Sequence, residues 1–416
     1  MMKLVGLAAL LGSAAALTAP RLNTRSMAAR RASGMRMATV DAENKQESGV
    51  KLPDLGQIFN SLPSLSPGQL KIGNKRLVVV TGASSGLGKE CARNLVERGD
   101  SFVIMACRDV KKAQAVADEL RFNKNNYHIM ELELSSLANV RQFVKNLKSY
   151  KGNKPLDVLV NNAAVYLPTD PTPAFSEDGY EMSVAVNHLG HFLLSNLLID
   201  DMKKSKDPRC IIVGSITGNT NTIGGGFVYP RADLGKLQGL EKSISSEGGK
   251  GDFTTAMIDG KLFDGAKAYK DAKMCNMMTV TELHERYHKA TGITFSSLYP
   301  GCIATTELFR EKRGWFRVWF PWFQKYVTGG FVSEAEAGDR LAQVAVDEKC
   351  KKSDVYWSWN GNAQQLGLTL DEDGRPKGAG GSGGDIFENQ QSNAVTDSIA
   401  RKKMFDLSAK AVGLDM

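Results

Sequence analysis

The chain has 416 residues, 42% of them hydrophobic, enough for one large domain or two ordinary ones with a full core. Its net charge is +8, but residues 1–40 carry six basic side chains and no acid, which leaves +2 for the rest. That near-balance argues against a nucleic-acid binder. The six cysteines (91, 107, 210, 275, 302 and 350) are scattered without a close pair, which predicts reduced thiols rather than a disulfide framework. His284 and His288 share a helix face, but no third ligand accompanies them, and no metal is expected.

In chain order, residues 4–17 form an apolar run behind Lys3, long enough for a signal core and short for a membrane span. An acid-free stretch rich in Arg, Ser and Ala follows, with the composition of a transit peptide. Residues 1–40 therefore read as a two-part targeting leader, cleaved near Ala16 and Leu17. Residues 41–75 read as a linker, with the folded body starting near Lys75.

LVVVTGASSGLG at 77–88 is an apolar strand ending in a glycine turn, and KECARNLVERG after it has helical spacing with Gly99 as its stop. Strand, turn and helix predict the phosphate-binding half of a dinucleotide fold. Gly82 allows the tight turn, Gly86 lets backbone approach a pyrophosphate, and Gly88 lets helix and strand pack closely. Ser84, Ser85 and Leu87 complete that loop, and the helix start offers free N–H groups to phosphate. The next strand, 101–107, ends in Arg108, with Lys112 four residues on. A cation at this point suits a 2′-phosphate, so NADPH is expected rather than NADH.

Further strands are expected at 127–133, 156–160, 209–214, 294–299 and 354–358, alternating with helices. The prediction is an α/β, doubly wound Rossmann fold with a mainly parallel seven-stranded sheet, as a single domain over 76–416. Residues 218–265 are an insertion, and 371–394 read as a flexible glycine-rich loop. Residues 309–331 mix aromatic and basic side chains, which suits a lid, an oligomer contact or a membrane-surface helix.

Tyr269 and Lys273 sit four residues apart in AYKDAKMCN, on one helical face. An ammonium beside a phenol is expected to pull its pKa below about 10 and make it a usable acid near neutral pH.

TGASSGLG, NNAA at 161–164, Asn187 in VNHLGHF, Ser215 in VGSITGN, Tyr269 with Lys273, and Pro300 with Gly301 stand in the order found in the short-chain dehydrogenase/reductase family. The chain resembles that family over about 76–360. Within it, NNAAVY, GSITGNTNT, KAYKDAKMCNM and LYPGCIATTELFRE resemble the light-dependent protochlorophyllide oxidoreductases.

The resemblance implies a strand order of 3-2-1-4-5-6-7. It implies hydride transfer from NADPH to a ring D double bond of protochlorophyllide, driven by light that the pigment absorbs. Tyr269 would donate the proton, and Lys273 would hold the nicotinamide ribose. Asn187 would anchor a water relay, and Ser215, or else Thr217, would partner the phenol. Asn161 and Ala163 would line the cofactor. Tyr166, Tyr299 and Gln324 would wall the pigment pocket, and Cys302 would transfer a proton or pack against the ring. Glu133 stands where the family commonly has Asp. The resemblance also implies addressing to a plastid bounded by extra membranes, peripheral membrane association and self-association. Two alternatives stay open: a light-independent reductase of a hydrophobic carbonyl, and a pigment-binding protein without catalysis.

Overall fold

Alternation decides which way each central strand faces. In β1 (Arg76–Thr81) and β2 (Ser101–Cys107), Leu77, Val79, Phe102 and Ile104 enter one core, while Val78, Val80, Val103 and Met105 enter another. A strand buried on both faces must be apolar throughout, as the VVV run is. The first core is closed by the helices Leu137–Lys151, Gly190–Met202, Gly265–Leu283 and Ser398–Ala411. The second is closed by Gly86–Arg98, Val110–Glu119 and Glu334–Val346. This is the doubly wound arrangement.

The computed structural model describes residues 66–226, 228–245, 251–303, 314–361 and 380–415. The expected leader at 1–40, the linker up to residue 65, and residues 304–313 and 362–379 lie outside them. The other strands are β3 (Tyr127–Glu131), β4 (Val158–Asn161), β5 (Arg209–Val213), β6 (Thr294–Leu298), β7 (Val355–Trp359) and β8 (Ile386–Asn389). The order is β3-β2-β1-β4-β5-β6-β7-β8. Every pairing is parallel except β7 with β8.

The seven expected strands are present, and an eighth extends the sheet. The expectation of a flexible loop over 371–394 is corrected for its described part, because β8 lies inside it. Four residues, IFEN, carry too little pattern to announce a strand; pairing with the open edge of β7 makes one. The linker ends earlier than expected. Pro67–Ile72 is a helix capped by Ser66, whose Oγ accepts from Gln69 N at 3.1 Å and donates to Tyr150 O at 2.6 Å. Ile72 is fully buried, so the folded body begins before Lys75. All six cysteines are free thiols, five of them buried.

Candidate active site

The cofactor end is built where β1 stops. Thr81 Oγ1 accepts from Asn162 N at 2.8 Å and Ala163 N at 3.0 Å, and meets His191 Nε2 at 2.9 Å. A hydroxyl has two acceptor sites and one proton. With both acceptor sites used, Thr81 donates to His191, so Nε2 is the acceptor and Nδ1–H points at Asn187 O, 3.3 Å away. Burial pushes His191 down to about 3, which keeps the ring neutral and this tautomer fixed.

Asn162 Nδ2 donates to Thr81 O at 2.8 Å and braces the turn from below. A Cβ on Gly88 would lie 2.4 Å from both Asn162 Nδ2 and Gly82 O. The Gly86–Arg98 helix therefore approaches the strand exit as no other residue would allow. Ser85 stands at its N-cap but makes no side-chain cap bond, and Ser84 lies beside the Cys107 thiol. This is a cradle for phosphate at a helix N-terminus.

Arg108 leaves the end of β2 with its side chain 73% exposed, its Nε 3.6 Å from Glu133 Oε2. Glu133 Oε1 accepts from Ser135 N at 3.0 Å and Ser135 Oγ at 2.8 Å. Glu133 thus faces Arg108 and its own turn. Lys112 begins the adjoining helix, its N–H capped by Asp109 at 2.8 Å.

The reaction end lies on the Gly265–Leu283 helix. Lys273 is buried, and its Nζ donates to Val213 O at 2.8 Å. Burial lowers it to about 8. Tyr269 is half-buried; its ring centroid is 5.8 Å from Lys273 Nζ and 4.8 Å from the Tyr166 ring. The expected depression of the Tyr269 pKa is corrected. Burial, with a further push from Tyr166, raises it, and a hydrogen bond with Ser215 opposes the rise. Lys273 directs one N–H at a backbone carbonyl, and desolvation of the phenol outweighs the hydrogen bond that would favour phenolate. Ser215 Oγ is also 2.9 Å from Thr217 Oγ1, which brings both candidate hydroxyl partners to one place.

Asn187 sits in a π-helical turn, Val184–Leu189. Its amide pairs both ways with Val165, accepting from N at 2.8 Å and donating to O at 2.9 Å. Its carbonyl accepts from Asn276 Nδ2 at 2.9 Å. The Asn187 side chain thus holds Val165, while its main-chain carbonyl holds Asn276 of the Tyr269 helix, so this one residue splices the two. The Asn161 side chain turns to the Gly190–Met202 helix, its Nδ2 donating to Ser195 Oγ at 3.0 Å, while the next residue, Asn162, meets the end of β1 at Thr81.

Of the side chains expected on the substrate side, Tyr299 and Cys302 stand near each other. Burial and the nearby Cys302 and Tyr356 hold the Tyr299 phenol far above the usual range, against a smaller opposing pull from Arg340. Burial pushes the Cys302 thiol up to about 12. Cys302 bridges Phe331 in parallel fashion, and Phe331 N donates to Gln324 O at 3.3 Å. The main-chain carbonyl of Gln324 is thus tied to the residue that bridges Cys302. The insertion is tied to the Tyr269 helix by Lys270, which donates to Val228 O at 2.8 Å and Pro230 O at 2.7 Å, and by Lys267, which donates to Asp233 O at 2.6 Å and pairs with Asp259 at 3.0 Å.

The short chain dehydrogenase model matches residues 76–250. Protochlorophyllide reductase, chloroplastic, of Cucumis sativus is 50% identical over 373 residues, 89% of this chain and 86% of that protein. The Pisum sativum protein of that name is 54% identical over 347 residues, 83% of this chain and 79% of its own. Protochlorophyllide reductase A, chloroplastic, of Arabidopsis thaliana is 52% identical over 362 residues, 86% and 82%. The chain belongs to the protochlorophyllide reductase family.

For a protochlorophyllide reductase, the cradle is the part that tests whether a dinucleotide fits. The close approach of the helix to the strand exit that Gly82 and Gly88 permit, the uncapped helix start and exposed Arg108 together match a phosphorylated dinucleotide. Sequence reasoning missed Thr81, Asn162, His191 and Asn276. An alternation check along β4 would have separated Asn162 from Asn161; nothing local marks Asn276.

Proposed function

We propose that this protein reduces protochlorophyllide to chlorophyllide in light, using NADPH, as a step of chlorophyll biosynthesis in the plastid. The observation that carries the reading is the buried Lys273 and the Tyr269–Ser215 pair standing on a glycine cradle, in a chain half-identical to reductases named for that pigment. NADPH would supply hydride to one carbon of the ring D double bond, held by the cradle, Arg108 and Lys273. Tyr269 keeps its proton at neutral pH because burial favours the phenol, and gives it to the neighbouring carbon. Ser215 orients the hydroxyl. Tyr166, Tyr299 and Cys302 exclude water from the ring. Absorbed light lowers a barrier that the delocalised macrocycle makes high in the ground state.

The test is a single flash on protein, NADPH and protochlorophyllide mixed in darkness. A red-shifted chlorophyllide band is expected, and about tenfold less with NADH at matched concentration, the cost of one unsatisfied charge pair. Pigment binding without conversion would sink the catalytic reading, and dark activity on small carbonyls would replace the substrate.

The plastid address is assigned to residues 1–40, since the relatives are named chloroplastic. A reporter carrying residues 1–50 is expected inside the plastid; retention in the secretory route would refute the two-part leader. Peripheral membrane contact is assigned to the helix Gly314–Phe323 and the turn after it. Trp319, Trp322 and Tyr326 are 46%, 54% and 66% exposed there, and Lys325 stands beside them. No helix among the described residues is long and apolar enough to cross a membrane. Co-sedimentation with anionic vesicles is expected to fall several-fold in Trp322→Ser. Without lipid, the same face is expected to join copies of the chain, read as a concentration-dependent sedimentation coefficient that this variant removes. Unchanged behaviour in both assays would free the face of either role.

A further inference from the structure

We propose that Arg340 is a positioning residue for the pigment side of the site, fixing the turn at residues 300–302 and coupling the 380–385 segment to it. The proposal rests on the function above only for its kinetic readout.

Arg340 lies on the Glu334–Val346 helix and is 4% exposed. Its Nη1 donates to Pro300 O at 2.8 Å. Its Nη2 is shared among Gly381 O at 2.9 Å, Gly383 O at 2.8 Å and Glu336 Oε1 at 2.8 Å. The guanidinium carbon stands 5.1 Å from the Trp359 ring centroid, over the end of β7. One cation thus joins two pieces of backbone, at 300 and at 381–383, that are distant in sequence from each other and from its own helix.

The Pro300 contact reaches Cys302 within two residues. Gly301 has φ +116, and a Cβ there would lie 3.0 Å from Arg340 Nη1 and 2.3 Å from Val332 Cγ2. The chain turns tightly past the guanidinium and then locks, with Val332 N donating to Cys302 O at 3.0 Å. Val332 continues from Phe331, which pairs with Cys302 and bonds to Gln324. The backbone at Cys302 and Gln324 is therefore held in one small frame with Arg340 at its corner.

The glycine-rich segment enters the same frame. Glu336 accepts from Gly383 N at 2.7 Å and from the Ser382 hydroxyl. Gly381 lies against Gly329, where a Cβ would come within 1.9 Å of the carbonyl. Gly329 ends the turn that begins at Gln324. A buried ion is a weak stabiliser, because desolvation offsets its attractions and an apolar side chain would pack as well. What the fork of Arg340 supplies is direction: planar donors aimed at fixed carbonyls.

The experiment compares Arg340→Lys and Glu336→Gln with the parent, as full chains. Lysine keeps the charge but loses the planar fork. In Arg340→Lys the KM for protochlorophyllide is expected to rise about tenfold or more, the loss implied by one charge-assisted bond. The NADPH dissociation constant, read by fluorescence, should stay at the parent value. Alkylation of Cys302 in the dark, followed by mass spectrometry, should quicken several-fold; this readout needs no turnover and survives if the function is another. Glu336→Gln should shift both readouts the same way by less. A folded Arg340→Lys with parental KM and parental alkylation overturns the proposal, as does loss of NADPH affinity in parallel with KM, which would mark a general structural role. Should that variant not fold, Glu336→Gln with parental values for both readouts overturns it.

Discussion

Tyr269→Phe is expected to slow photoreduction by about two to four orders of magnitude, the range that a positioned general acid contributes. Binding of the pigment in darkness should be unchanged, because the ring that packs 4.8 Å from Tyr166 is retained. The direction of the Tyr269 pKa supports a donor. A phenol that burial holds above its ordinary value is fully protonated at neutral pH and parts with its proton only to a strong base. The carbon left beside a newly formed C–H bond is such a base.

Lys273 adds a pH signature. Its ammonium is lost as pH rises through about 8, so turnover in the parent should decline above that value. Stability moves the other way. The folded state releases this proton at about 8 and the unfolded state near 10.5, so the unfolded chain binds more protons between them. This one group therefore makes the fold more stable as pH rises across that window. Single-flash yields across pH for parent and Tyr269→Phe check both statements. Undiminished yield in the variant would remove Tyr269 as donor and leave Cys302 to be tested in its place.

Most of the frame was legible because its signals are local. The apolar strand before TGASSGLG, the glycines after it and Tyr269 one turn from Lys273 are each read within a dozen residues. What escaped depends on partners far away in sequence. The strand at Ile386–Asn389 exists because β7 offers an open edge. Ser66 reaches a carbonyl at Tyr150, so the helix after it forms against the Leu137–Lys151 helix rather than from its own six residues. Arg340 reads locally as half of an exposed pair with Glu336, one turn away; two loops, at 300 and at 381–383, fold over it. The Tyr269 pKa failed for a related reason. The helix shows the neighbouring ammonium, whereas desolvation is a property of everything packed around it.

Gly88→Ala is expected to weaken NADPH binding by about tenfold or more and to cost about 1–3 kcal/mol of stability, the usual range for overpacking. The added methyl would lie 2.4 Å from Gly82 O, with Asn162 Nδ2 equally close. One obstacle is backbone and the other is held to Thr81 O at 2.8 Å, so neither can rotate away. Relief must come from lifting the Gly86–Arg98 helix off the strand exit, which carries its first N–H groups away from where phosphate would rest. Backbone strain alone predicts a different result. Gly292 has φ +71 with nothing near its missing Cβ, so Gly292→Ala should cost about 1 kcal/mol through strain and leave NADPH affinity unchanged. Fluorescence titration with NADPH and thermal unfolding with and without it separate the two variants. Parental NADPH affinity in Gly88→Ala would mean that the phosphates rest elsewhere, and the cradle would lose its assignment.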